Sequence, residues 1–279
     1  MVRSSLLSPL VVVGVVAWLF GAAGLDSVAV YEDWSGTSIR ADRWVVGHAV
    51  AGPVVNRPLT RDRRLVLRYR QEGSTASDSG QTVAHELMRL LRHTLINEIE
   101  AAFTVTELSM STCAANNAGR ITQARPARLH MEKFNDGSSS RPGDRTGDYI
   151  AIAQAFRDGS SLNPPGVLNV QGAVSRCTDP ACATVTPIVI NTLPTTVAMG
   201  QTFTLRLKWD QPNRQFLFGL DGSRDVALPY AINSITPPAL PQVEIMVQHA
   251  AANCLTGAVV IDSATEVGRI STNGSAVVR

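Results

Sequence analysis

The side chains in this 279-residue chain that could do chemistry are few, and the cysteines are the first to weigh. Cys113, Cys177, Cys182 and Cys254 could act as nucleophiles, metal ligands or disulfides. A zinc site needs cysteine or histidine in closely spaced pairs. None of the five histidines, at positions 48, 85, 93, 130 and 249, is placed to supply one. Four cysteines allow three full pairings. Cys177 and Cys182 flank Thr-Asp-Pro-Ala, a turn-forming tetrapeptide that lets their side chains meet locally. The expectation is therefore two disulfides, Cys177 with Cys182 and Cys113 with Cys254.

The carboxylates come next. Glu98 and Glu100 lie two apart in a run that alternates like a strand, so both point to one face. Exposed strand faces often carry Glu, and a solvated face is the expected role of this pair. Asp136, Asp144 and Asp148 fall in the Gly/Ser-rich stretch 135–148 and are candidate calcium ligands, since calcium favours clustered oxygens. Their spacing matches no EF-hand. His85-Glu86 begins a metalloprotease-like motif, but Arg89 stands where the second histidine belongs. A Gly-x-Ser-x-Gly elbow and a phosphate-cradling glycine loop are both missing. No catalytic residue is nominated, and no cofactor is expected.

The elements that would position these groups read as strands. Leu65, Leu67 and Tyr69 alternate with Arg64, Val66, Arg68 and Arg70, as a half-buried strand requires. Ile99, Ala101, Phe103 and Val105 repeat the device against Glu98, Glu100, Thr104 and Thr106. Further strands are expected at 124–134, 148–156, 166–176, 184–190, 203–209, 214–220, 242–248 and 258–264. Turn clusters such as Asn135-Asp136-Gly137 and Asn163-Pro164-Pro165-Gly166 divide them. Val83, Leu87, Leu90 and Leu91 follow helical spacing instead, although the flanking strands favour a strand over 83–93. Many short strands without alternating helices predict a sandwich or barrel, read as one domain over 30–279.

Residues 1–29 read as an export segment. Arg3 precedes an apolar run from 6 to 25, with Leu10–Phe20 as its hydrophobic heart and Gly21-Ala22-Ala23-Gly24 as a small-residue exit. Cleavage after Gly24 or Ala29 fits a secretory signal, whereas an uncleaved segment would serve as a membrane anchor through 6–25. Either route places the remainder outside the membrane, where an even number of cysteines is expected to oxidise. The formal net charge is only +2, and Lys133 and Lys208 are the only lysines. Arginines are scattered rather than clustered, which argues against nucleic acid as a partner.

Two stretches carry a resemblance. Tyr31-Glu32-Asp33-Trp34-Ser35-Gly36-Thr37-Ser38-Ile39, followed by Asp42-Arg43-Trp44, resembles the opening of concanavalin A-like lectin/glucanase domains. Phe203–Asp210 with Gln215–Gly222 is similar to that superfamily's late hairpin, and Val259–Val267 to the terminal strand returning beside the first. The resemblance implies an all-β jelly-roll sandwich of two antiparallel sheets, with Trp34, Trp44 and Trp209 as structural residues. It covers sugar-binding lectins, laminin-G-type adhesion modules and glycoside hydrolases, and one fold with many functions does not select among them. Its glucanases set Glu-x-Asp and a further Glu along one strand face. Here Glu98-Ile99-Glu100 is followed by Ala102 and Phe103, which leaves the set incomplete. The functional expectation is an exported, non-catalytic, lectin-like domain that binds a glycan or surface polymer. The alternatives are an adhesion module with a protein partner and a divergent glycoside hydrolase.

Overall fold

The computed structural model describes residues 28–49, 59–113, 122–139, 141–232 and 235–273. The apolar segment at 6–25 lies outside the described residues, and the choice between signal and anchor lies there with it. Fifteen strands are described, and no α-helix occurs among these residues. In chain order they are β1 (Val28–Glu32), β2 (Trp44–Ala49), β3 (Leu59–Arg61), β4 (Arg64–Glu72) and β5 (Gln81–Leu90). Then come β6 (Glu98–Met110), β7 (Gln123–Asn135), β8 (Asp148–Asp158), β9 (Val167–Cys177) and β10 (Val185–Ala198). The last five are β11 (Thr202–Asp210), β12 (Gln215–Leu220), β13 (Val226–Pro229), β14 (Gln242–Ala252) and β15 (Val260–Asn273).

The strands form two antiparallel sheets, as the jelly-roll expectation requires. The first runs β13-β12-β11-β6-β15-β4-β3, and the second β10-β9-β8-β7-β14-β5-β2. β15 sits between β6 and β4, and β14 between β7 and β5, so the last two strands occupy the middles of both sheets. One edge of β15 serves two strands in succession: β4 pairs with Val260–Val267, and β1 with Ile270–Asn273. The terminal strand does return beside the first, but a few residues later than the sequence pattern places the contact.

Period-two alternation builds the core. Leu65, Leu67 and Tyr69 of β4 turn inward with Ile99, Ala101, Phe103 and Val105 of β6. They meet Leu129 and Met131 of β7 and Val243, Ile245 and Val247 of β14. Large aromatics on the first sheet face small residues on the second. Ala151, Ala153 and Ala155 line the inner side of β8, and a Cβ added to Gly172 would stand 2.3 Å from Cδ1 of Phe218. Glycine is required there because close packing leaves no room for a methyl group.

The segment with helical spacing is strand β5. It pairs with β14 along one edge and β2 along the other, and Ala84, Met88 and Leu90 point inward. Helix propensity is a small local preference, and two flanking ladders outweigh it. Both disulfides take the expected pairing. Cys113–Cys254 (Cα–Cα 5.7 Å) links the end of β6 in one sheet to the end of β14 in the other, while Cys177–Cys182 (4.8 Å) closes the turn after β9.

The opening aromatic segment is structural. Trp34 stacks on Trp44 with centroids 5.3 Å apart and donates from Nε1 to the Gly268 carbonyl at 2.7 Å. Tyr31 donates from its hydroxyl to the Arg43 carbonyl at 2.7 Å. All three rings are buried.

Candidate functional site

On β14, Val243, Ile245 and Val247 face the core, so Gln242, Glu244, Met246 and Gln248 must point away from the first sheet. Register supplies their neighbours. Glu244 lies opposite Arg89 of β5 on one side and His130 of β7 on the other, while Gln242 lies opposite Glu132. Arg128 lies opposite Gln154 of β8, which lies opposite Gln171 of β9. Five consecutive strands thus place charged and amide side chains on one outward face.

The groups engage one another closely. Arg89 donates to Glu244 Oε1 at 2.9 Å and to Gln242 Oε1 at 2.7 Å, and His130 Nδ1 lies 2.9 Å from Glu244 Oε2. Arg145 reaches over from the segment between β7 and β8 and forks onto Glu132, with bonds of 3.1 and 2.6 Å. Gln242 donates to the same carboxylate at 2.9 Å. Gln154 donates to Gln171 at 3.0 Å, and Gln171 to the Thr192 hydroxyl at 3.2 Å. Arg125 and Arg128 both donate to the amide oxygen of Gln248.

Burial and charge set the protonation states. Burial works against ionisation of Glu244, yet His130 and Arg89 hold its carboxyl down at about 2. Burial lowers His130, and it lowers His85 to about 4, so both imidazoles are neutral at pH 7. Burial pushes Glu132 up to about 8 against the opposing pull of Arg145. Burial, helped by the neighbouring Arg125 cation, lowers Arg128 to about 9. In both Glu132 and Glu244, each carboxylate oxygen already has a donor. Such groups hold a shape more readily than they pass a proton.

The candidates drawn from sequence sit elsewhere. Glu98 lies on the outward face of the first sheet, only 4% exposed, and pairs with Arg206 at 2.7 Å and Lys208 at 3.2 Å. It is thus a buried ion-pair residue, and only Glu100 fits the solvated-face reading. Asp136 pairs with Arg176 and Asp144 accepts from the Thr146 amide. Asp148 accepts from Asn135 and the Ala239 amide. The three do not converge on a common point among the described residues. Glu86 turns into the core, away from its sequence neighbour His85.

Trp209 alone among the described Phe, Tyr and Trp residues is not buried. It packs on Phe134 and borders a cavity of about 360 Å³ with Lys133, Pro237 and Pro238. All three Lys133 donors are committed to the carbonyls of His93, Thr94 and Ile96, so this mostly apolar cavity has little with which to orient hydroxyls. The outward face of the second sheet is the stronger candidate. Sequence reading missed it although Gln242-x-Glu244-x-Met246-x-Gln248 alternates plainly with Val243, Ile245 and Val247.

No family model matches the sequence, and neither does any curated protein. Solved structures do match in fold. A laminarinase from Flavobacterium sp. UMI-01 is 8% identical at a TM-score of 0.48, covering 88% of this chain and 100% of its own. A GlcNAcα1-4Gal-releasing endo-β-galactosidase from Clostridium perfringens is 8% identical at 0.46, with 88% of this chain spanning 62% of that one. A legume lectin-like domain from Entamoeba histolytica is 8% identical at 0.34, covering 81% and 89%. The structural neighbours are thus jelly-roll glycoside hydrolases and lectin-like domains.

Proposed function

We propose that this is an exported lectin-like domain that binds a glycan on the outward face of its second sheet without cleaving it. The supporting observation is the chemistry of that face. Gln248, Gln154 and Gln171 supply amides suited to sugar hydroxyls, while Glu132 and Glu244 are saturated by Arg145, Arg89, His130 and Gln242. Two disulfides suit an oxidising compartment. Binding of the domain to a glycan array, lost on Gln154→Leu with the fold intact, is the expected result. A blank array would overturn the reading.

One observation favours a second reading. Glu132 near 8 and Glu244 near 2 are carboxyls held in opposite states on adjacent strands, as an acid and base for glycoside hydrolysis must be. Release of reducing sugar from a polysaccharide panel, abolished by Glu132→Gln, would establish hydrolysis. No release is expected.

A further inference from the structure

Two arginines on the same face have no carboxylate in contact among the described residues, Asp158 and Glu244 acting on Arg125 and Arg128 only from a distance. Arg125 and Arg128 flank the irregularity where β7 slips against β8 and β14, and this slip brings both guanidiniums to Gln248. Arg125 Nη1 donates to its Oε1 at 3.1 Å, and Arg128 Nη1 donates to the same atom. Arg125 also donates to the Gln123 amide oxygen, so these two cations meet only neutral amide oxygens side chain to side chain. Arg89 and Arg145 on this face each have a carboxylate within 2.9 Å, but among the described residues neither Arg125 nor Arg128 has one within 4.0 Å. Asp158 acts on Arg125 only as a more distant charge. Half-buried guanidiniums without an anion in contact carry a desolvation cost.

Unmet hydrogen bonds mark the same spot. Arg128 Nε is shut off from water and has no acceptor. Across the ladder from it, Gln154 Oε1 is equally enclosed and has no donor. Such atoms are rare in folded proteins and call for a missing partner. A hydroxyl group carries both complements, an acceptor for Nε and a donor for the amide oxygen, once these side chains turn to admit it.

We propose that the glycan taken by this face is anionic, with a carboxylate or sulfate ester held by Arg128 and Arg125 and an adjacent hydroxyl bridging Arg128 Nε and Gln154 Oε1. This rests on the glycan reading above and specifies its ligand class. Guanidinium forks match carboxylate and sulfate geometry alike, and the amides of Gln154 and Gln171 continue the site along the sheet.

The test is titration calorimetry on the full exported chain with three sets of oligosaccharides: oligouronates, sulfated galactans and neutral glucans. One anionic set is expected to bind about tenfold or more tightly than the neutral set and to weaken as salt rises. Which anionic set binds distinguishes carboxylate from sulfate. Arg128→Met should reduce that binding about tenfold or more and flatten its salt dependence. Arg125→Met serves as the second variant should the first not fold. Neutral glucans bound as tightly as the anionic sets would overturn the inference and leave the glycan reading standing. Anionic binding that survives both substitutions would also overturn it. Failure of every set to bind removes both proposals together.

Discussion

Apart from the buried pairing of Glu98 with Arg206 and Lys208 on the first, the two sheets present opposite solutions on their outward faces. On the first, cations meet carboxylates across the ladder: Arg64 with Glu266 at 2.8 Å and Arg70 with Asp262 at 3.1 Å between neighbouring strands, and Arg68 with Glu107 at 3.0 Å over the intervening β15, all well exposed. Charges balance locally and water reaches them, so each pair adds little stability. On the second, Glu132 and Glu244 are 0–1% exposed, and guanidiniums outnumber carboxylates. A surface that needs only to be soluble takes the first arrangement. The second carries a desolvation cost that packing alone does not require, and such departures gather at sites of function.

The largest expected contrast is in acid. Burial lowers His85 to about 4 and His249 to about 3, and Glu244 lies at about 2. The unfolded chain takes up these protons at ordinary values while the folded chain resists, so the contribution of these groups is fully present above about pH 6.5 and falls as pH drops towards 3. The buried carboxyls of Glu132 and Glu86, raised to about 8 and about 7, oppose that fall until about pH 4.5. Urea midpoints should decline gently from pH 7 to about 4.5 and steeply below it, where Glu132 and Glu86 are protonated in both states. A flat profile from about pH 4.5 to about pH 3.5 would contradict the buried, neutral state of these imidazoles. Replacing Arg68 and Glu107 on the first sheet should leave that profile unchanged.

Next in size is Glu244→Ala, which leaves Arg89 and His130 facing an empty position. A loss of about 3–5 kcal/mol by chemical denaturation is expected, and a loss below about 1 kcal/mol would mean that water relieves the face. Arg128→Met should go the other way, leaving stability unchanged or raising it by about 1 kcal/mol, since it removes an uncompensated cation. A large loss would show that Arg128 holds the sheet rather than a ligand. The smallest effect belongs to Arg68 and Glu107, whose coupling in a double-mutant cycle should stay below about 1 kcal/mol.

Most strands were legible because they carry a local pattern: Leu65, Leu67 and Tyr69 declare one face of β4 without any partner, whereas the short β2, β3 and β13 were not anticipated. So was the Cys177–Cys182 turn. The outward face was not. His130 and Glu244 are 114 residues apart, and only the register of β7 on β14 joins them. Arg125 and Arg128 converge on Gln248 because the ladder slips there, which no alternation rule anticipates. Glu98 misled for a related reason: its role depends on Arg206 and Lys208, two positions on the distant strand β11. Pattern reveals which way a side chain points, whereas pairing decides what it meets.

The placement of β14 and β15 has a consequence in time. Neither sheet has its middle until these strands arrive, because β6 cannot reach β4, nor β7 reach β5, without them. An emerging chain therefore holds two incomplete half-sheets until almost all of it is free, and long-range pairing of this kind is slow. The order of events follows: the two sheets close first, and an oxidant from outside the molecule then takes the two electrons that join Cys113 to Cys254, as a seal on a fold already assembled.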